Sequence, residues 1–555
     1  MNLLDQVQAR LRPFTPTQVK AHHLLLAAIL LLAVFTRFWR LGTPDGCYFD
    51  EVYFPTTGAE ILHGDKAAWE FYGHENTHPP LSKLMMAGGE AIFGHEARND
   101  PALQCWGDAE DAAKKNNPDW TYSPFGWRFF GALAGVGAVL FMYLLARKLF
   151  NSEVAGLAGA FLLTFEGLAF TQSRIATPDT YVLFFMLGAV YFLVSNRYLF
   201  SGIFFGAAMA SKWNAMFTIV PIVLYLAWRL ARGFAERREE PFPREGLRRF
   251  EVALPAGLAL LYLGAGLTVW RYVGTKAGQT YDVFGGPLQM LGLLLMIAGG
   301  IGILLGIAGL IRARSASDQV RLFSPTGRLL LSVALVFGVF FMIVPGYVYA
   351  LTYVPMLASG HSLGDARDLN RMAYDFHSTL KSPHPYQSSW DTWPILMRPI
   401  FFYLGGDAKI YNLGNPLIFW LGLPALAFTL YRGLRFVRVR VEQGTANLAI
   451  RGRITLQEAA PLFVVLSYLG FWLPWALQPR ILFLYHYLPA LAFVILALAY
   501  VVHWLWYHEQ RWARAVAITF LVAVAATFAY FYPHLAAVSI PHWLDESYYW
   551  FASWR

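Results

Sequence analysis

Charge is what this sequence has least of. Only 14% of its 555 residues are Asp, Glu, Lys or Arg, against the roughly 25% of an ordinary soluble domain. With 44 basic and 35 acidic side chains, a water-soluble body of this size could not be covered. Cysteine is nearly absent, at 2 in the chain, which excludes a disulfide-built scaffold. The 57% apolar and 17% aromatic content excludes a disordered or collagen-like chain. What remains is an all-α polytopic membrane protein.

A helix needs about 20 apolar residues to cross the hydrocarbon core, somewhat fewer where protein encloses it. On that measure the sequence predicts about 13 spans, near 22–40, 127–147, 154–171, 180–195, 199–211, 215–229, 252–270, 287–310, 328–350, 416–433, 459–477, 482–503 and 515–532. Only Lys212, Trp213 and Asn214 separate the fifth from the sixth. They are read as a re-entrant pair, not one long tilted helix, because the flanking segments then carry the right charge. The first span ends in Arg37 and Arg40 without a small-residue cleavage site, so it is expected to remain as an anchor.

Lys and Arg favour the cytoplasmic face. With the N-terminus inside, the inner segments hold 25 of the 44 basic residues and 11 of the 35 acidic ones. The loop 41–124 falls outside with 14 acidic residues against 5 basic. The net charge of +9 is therefore a topology signal, and a nucleic-acid partner is not needed to explain it. The whole of 1–555 reads as one integral membrane domain. It has a first extracytoplasmic loop (41–124), a second (352–398) and a C-terminal four-helix region (416–555). Both cysteines, Cys47 and Cys105, lie in the first outer loop, where a bridge between them is favoured over two free thiols.

Ionisable groups at membrane depth are costly and default to functional candidates. Here they gather at the outer ends of spans. Asp50 and Glu51 follow span 1, and His74, Glu75 and His78 come later in that loop. Arg128 opens span 2, while Arg174 and Asp179 bracket the turn between spans 3 and 4. Lys212 sits on the next outer turn. His377, His384, Tyr386, Trp390 and Arg398 lie in the second loop, and Arg480 and His486 at the start of span 12. Each has a plainer reading: the arginines as headgroup anchors, the acidic pair as a solvated loop. His74-Glu75-Asn76-Thr77-His78 spells H-E-x-x-H, but Pro79 and Pro80 follow at once and forbid the helix a zinc-protease site requires. The glycine spacings at 131–137 and 299–306 predict close helix packing, not a phosphate loop.

The strings FDEVYF (49–54), YGHENTHPPLSK (72–83), SRIATPDTYVLFF (173–185), ASKWNAMF (210–217), HSTLKSPHPYQSSWDTWPILMRPIFFY (377–403) and FLYHYLPALAF (483–493) resemble, in order, the protein O-mannosyltransferase family. That family comprises dolichyl- or polyprenyl-phosphate-mannose-dependent enzymes of the GT-C fold. No stretch here is long and polar enough for the MIR domain of the eukaryotic members, so the likeness is to the bacterial type. The region 270–327 looks like an extra helical pair.

The resemblance implies Asp50 as catalytic acid/base with Glu51 as its partner. Donor-phosphate contacts are expected from Arg174 and Lys212, with Arg128 and Arg398 in reserve. His78, Asp179, His384, Tyr386, Trp390 and His486 are expected around the substrate. The chemistry requires no cofactor, although His74, Glu75 and His78 are candidate divalent-ion ligands. The expected reaction is inverting transfer of mannose from a polyprenyl-phosphate donor in the bilayer to Ser or Thr of exported proteins, at the outer face of the plasma (inner) membrane. The alternatives are a lipid or cell-envelope glycan acceptor, or a sugar other than mannose. A transporter would show internal repeats and midplane charges, and neither is found.

Overall fold

A computed structural model describes residues 21–72, 74–94, 123–237, 249–273, 275–276, 279–280, 285–316, 325–380, 383–443, 455–478 and 480–555. Helix stands in every one of the expected spans. Among the described residues, nine helices are long and apolar enough to cross a membrane, and four apolar helices are shorter.

The first is α1 (Ala21–Phe38), with Leu24, Leu31 and Phe35 exposed on its outer surface as a lipid-facing helix would have them. Two amphipathic helices that the sequence reading left as loop follow, α2 (Phe54–Leu62) and α3 (Leu81–Phe93). Next come α4 (Pro124–Phe150), α5 (Glu153–Thr164) and the short α6 (Gly167–Gln172). Then α7 (Asp179–Val194) and α8 (Tyr198–Ser211) form an antiparallel hairpin. Lys212 is extended (φ −162°, ψ 139°), so α8 stops there; a 3₁₀ turn (Trp213–Thr218) leads into α9 (Ile219–Arg237). The fifth and sixth expected spans are thus two helices, not one.

α10 (Arg249–Val273) and α11 (Gly285–Ala316) pack face to face through glycines. A Cβ on Gly257 would stand 2.7 Å from the Ile303 amide and 2.8 Å from the Gly299 carbonyl, so only glycine permits this approach. α12 (Pro325–Gly338) continues through one π-turn (Val339–Ile343) into α13 (Val344–Leu351). The 352–398 stretch is more ordered than its composition suggested. It carries α14 (Val354–Ala358) and α15 (Leu363–Thr379), and just beyond it comes the antiparallel hairpin β1 (Ile400–Gly405) and β2 (Ala408–Asn412). Ser362 caps α15 with Asp365 returning the bond, a reciprocal pair at the helix start.

The chain ends in α16 (Pro416–Gln443), α17 (Leu456–Trp472), α18 (Leu488–Trp506), α19 (Arg511–Leu535) and α20 (His542–Ser547). From Leu488 to Ala499 α18 is buried at every position, so it is the pillar round which the other helices stand. Cys47 is disulfide-bonded; the other cysteine, Cys105, lies outside the described residues.

Candidate active site

The site begins at Tyr48-Phe49-Asp50-Glu51. Phe49 takes a left-handed backbone (φ 52°), a conformation that costs a β-carbon-bearing residue about 1 kcal/mol or more. Its ring stacks on Phe402 of β1 at 4.3 Å, which holds it there. Residues 49–52 then form one 3₁₀ turn that points Glu51 inward. Glu51 is fully buried and receives Nε and an Nη of Arg128 at 2.8 and 2.7 Å, plus the Ala176 amide at 2.9 Å. It therefore ties the 48–52 turn to α4 and to the 173–178 turn.

Asp50 is its neighbour. It is electrostatically coupled to Lys212, Glu75 and Asp179, and burial pushes its carboxyl up to about 7, against the pull of Lys212. Lys212 stands at the break between α8 and the 3₁₀ turn. Its Nζ lies 2.9 Å from both oxygens of Asp179, the first residue of α7, and 5.1 Å from the centre of the Tyr485 ring. Asp179 also sits where the helix dipole favours a carboxylate.

The 74–80 loop makes one wall. It is not helical, as the two prolines require. Lys83 of α3, buried, donates to Asn76 Oδ1 at 2.7 Å and to the Glu75 carbonyl, while Asn76 bonds the Ala68 and Glu70 carbonyls, each at 2.8 Å. The loop is thereby fixed from both ends. His78 projects to His377 at the end of α15; the rings stack at 4.9 Å, with His377 Nε2 3.1 Å from His78 Nδ1 and 2.8 Å from the Thr77 carbonyl. Arg480 donates to His377 Nδ1 on its other side. Burial, and the cations Arg480 and Lys212, hold both imidazoles neutral: His377 falls to about 3 and His78 falls well below its ordinary value. Lys212 thus acts on Asp50, His78 and His377, and Arg480 on the two histidines, so charged groups from distant segments converge on one region.

Two arginines assigned to the donor phosphate are occupied elsewhere. All five N–H groups of Arg128 are engaged: two with Glu51, and three with the carbonyls of Leu41, Pro44 and Gly46 at 3.1, 2.9 and 2.8 Å. Arg174 caps the C-terminus of α1, donating to the carbonyls of Thr36, Arg37, Trp39 and Arg40 at 2.8–3.2 Å. Neither is exposed, and both hold the frame. Arg398 donates to the Ser553 and Pro385 carbonyls and lies over the Tyr386 ring at 5.1 Å.

The other substrate candidates differ in depth: His384, Tyr386 and Trp390 are half-buried, and His486 is buried. His384 Nδ1 accepts from the Tyr386 amide, and Trp390 packs on Trp472. His486 accepts from the Phe483 amide, stacks on Trp393 and meets Trp475 at a steep tilt. Arg480 and His377 are the residues that sequence reasoning noticed but did not select. Both stand in polar outer stretches, and nothing in their 103-residue separation announces that they touch.

The proposed metal set does not converge. His74 binds Glu60 at 2.6 Å, Glu75 accepts from Thr77 at 2.6 Å, and His78 turns to His377. Among the described residues, His542, Asp545 and Glu546 have ligand atoms close enough to share an ion. Asp545 is already held by Lys409 and His534, each at 2.6 Å, and Glu546 by Arg555, so that donor set is committed to the fold.

Comparisons with known proteins agree with the layout. Residues 27–240 match the family model for dolichyl-phosphate-mannose-protein mannosyltransferase, and 363–554 match that for the C-terminal four-span region of protein O-mannosyltransferase. Between them, the α10–α11 hairpin falls in the unmatched stretch. The polyprenol-phosphate-mannose–protein mannosyltransferase of Mycobacterium tuberculosis is 24% identical over 95% of this chain and 91% of its own. The dolichyl-phosphate-mannose–protein mannosyltransferase 1 of Candida albicans is 30% identical over 37% of this chain and 23% of its own. The solved Saccharomyces cerevisiae protein O-mannosyltransferase Pmt1-Pmt2 complex bound to the sugar donor superposes with a TM-score of 0.63 at 15% identity, over 97% of this chain and 93% of that one. The architecture is that of GT-C glycosyltransferases.

Proposed function

The chain belongs to the protein O-mannosyltransferase family, and from that premise we propose that it moves mannose from a polyprenyl-phosphate-mannose donor to Ser or Thr hydroxyls of exported proteins. The observation that carries this reading is the coupling of Asp50 to Lys212 and Asp179, which join the end of α8 to the start of α7, with Lys212 and Arg480 both acting on His78.

A lipid-borne sugar phosphate has two needs. Its leaving phosphate must meet positive charge, and its acceptor must lose a proton as it attacks. Lys212 supplies a point charge and Arg480 a planar fork suited to phosphate oxygens. Asp50 takes the acceptor proton. The acceptor oxygen bonds to C1 from the side opposite the phosphate, the C1–O bond to phosphate breaks, and its electron pair leaves with the phosphate. One such displacement inverts the anomeric centre, through an oxocarbenium-like state. His78, kept neutral, offers a hydrogen bond to a sugar hydroxyl without adding charge, and His377, engaged at both ring nitrogens, positions it. Glu51 and Arg128 fix the turn that aims Asp50.

The multi-pass enzyme would lie in the plasma membrane, with its N-terminus inside and this pocket at the extracytoplasmic edge, as the distribution of Lys and Arg suggests. Nucleotide sugars stay in the cytoplasm, so a donor presented from the bilayer suits that placement. Incubating membranes with radiolabelled polyprenyl-phosphate-mannose and separating protein from lipid products tests the reading. Label in alkali-labile protein linkage is expected; label only in lipid or glycan would move the acceptor assignment there.

A further inference from the structure

Beside Lys212 stands a tryptophan that the transfer step does not use. Trp213 opens the 3₁₀ turn that follows the lysine. Its indole N–H donates to the Tyr349 hydroxyl at 3.0 Å, and its ring meets His377 edge-on, with 6.3 Å between centres. Tyr349 lies in the last turn of α13. Its hydroxyl donates in turn to Asn370 Oδ1 on α15, and the Tyr353 hydroxyl donates to the same oxygen at 3.0 Å. The Asn370 amide is oriented by its own helix, because Nδ2 donates to the Ala366 carbonyl at 2.8 Å.

This chain of bonds has one direction. An indole offers only a donor, and a hydroxyl has a single proton to give. Trp213 therefore gives to Tyr349, and Tyr349 gives to Asn370. Three elements meet there: the turn that begins at Lys212, the end of α13, and α15, which presents His377 about 10 Å of helix beyond Asn370. Lys212 acts on Asp50, His78 and His377, so the two ends of the chain lead to the groups of one site.

Resting on the transfer reading above, we propose that Tyr349 is a positioning residue. By bridging Trp213 to Asn370 it holds the Lys212 turn and α15 in register, so that Lys212 keeps its place near Asp50 and His377 its place against His78. Tyr353 supplies the comparison. Its hydroxyl ties the start of α14 to the same Asn370 oxygen, whereas the Trp213 indole goes to Tyr349.

Full-length variants in membranes, matched for amount of enzyme, are compared by single-turnover transfer from radiolabelled polyprenyl-phosphate-mannose across pH. Melting temperatures are taken on the purified proteins. Tyr349→Phe should slow transfer about fivefold, the worth of one neutral hydrogen bond. It should also move the acid limb to higher pH, the direction expected of Lys212→Met, because a displaced lysine lowers the proton affinity of Asp50 less. The other titratable groups acting there, Glu75, Asp179 and the Tyr485 phenol, are untouched by the variant. Tyr353→Phe should leave rate and limb unchanged at a similar cost in melting temperature. Trp213→Phe cuts the link from its other end, should give the same loss and shift, and decides the matter should Tyr349→Phe not fold. The double variant should lose no more than the larger single loss. A wild-type rate in Tyr349→Phe, a slower rate with an unmoved limb, or equal effects in Tyr353→Phe overturns the role of Tyr349, while an inactive Asp50→Asn leaves the transfer reading standing. A wild-type chain that transfers no label overturns both.

Discussion

Lys212 holds both carboxylate oxygens of Asp179 at 2.9 Å while it lowers the proton affinity of Asp50. In the proposed mechanism the lysine is shared between a fixed partner and a working one, and its charge would stand there before any donor arrives. Four consequences can be measured.

The first concerns pH. With the Asp50 carboxyl raised to about 7, it is mostly protonated below that pH and becomes a base above it. Activity at saturating donor should therefore rise with an acid limb near pH 7, not near pH 4. Lys212→Met removes the charge that lowers the Asp50 value, so the limb should move to higher pH. A limb at pH 4–5 in the wild-type enzyme would contradict the assignment.

The second separates the cations. Arg480→Ala should weaken donor use by about tenfold or more, the worth of one charge-assisted contact, with little change in thermal stability. Arg174→Ala should do the reverse, because it uncaps the four carbonyls ending α1. Donor KM and the melting temperature in detergent, measured on both variants, distinguish the roles.

The third concerns Glu51 and Arg128, both fully buried. Arg128→Ala leaves an uncompensated carboxylate in the interior, which costs about 3–5 kcal/mol. A folded yield and melting temperature equal to wild type, with donor binding lost, would return Arg128 to the phosphate role.

How much of this was legible in the sequence follows from what kind of relation each residue is in. The helical segments and their outer clusters could be read because hydropathy and charge are properties of stretches. That α8 ends at Lys212 was visible as a polar break between two apolar runs. The carbonyl contacts of Arg174 and Arg128 were not legible for a physical reason: an arginine at a helix edge can serve a phosphate, a headgroup or a set of backbone carbonyls. Which of these it meets depends on where α1 ends and how residues 41–46 fold back. Arg480 and His377 illustrate the converse. Each was seen as a polar outer residue, but their pairing, and the stacking of His377 on His78, depends on α15 and on a fixed 74–80 loop that composition had suggested was open chain. The β1–β2 hairpin escaped notice because IFFYLG reads equally well as a short buried strand or the start of a helix.

The most direct test is single-turnover transfer by Asp50→Asn, with donor binding measured on the same preparation. The amide matches the carboxyl in shape but cannot take the acceptor proton, so transfer should fall by about 10²–10⁴-fold while donor affinity stays within about threefold of wild type. Transfer at a near-wild-type rate, or a loss fully explained by failure to bind donor, would contradict Asp50 as the base.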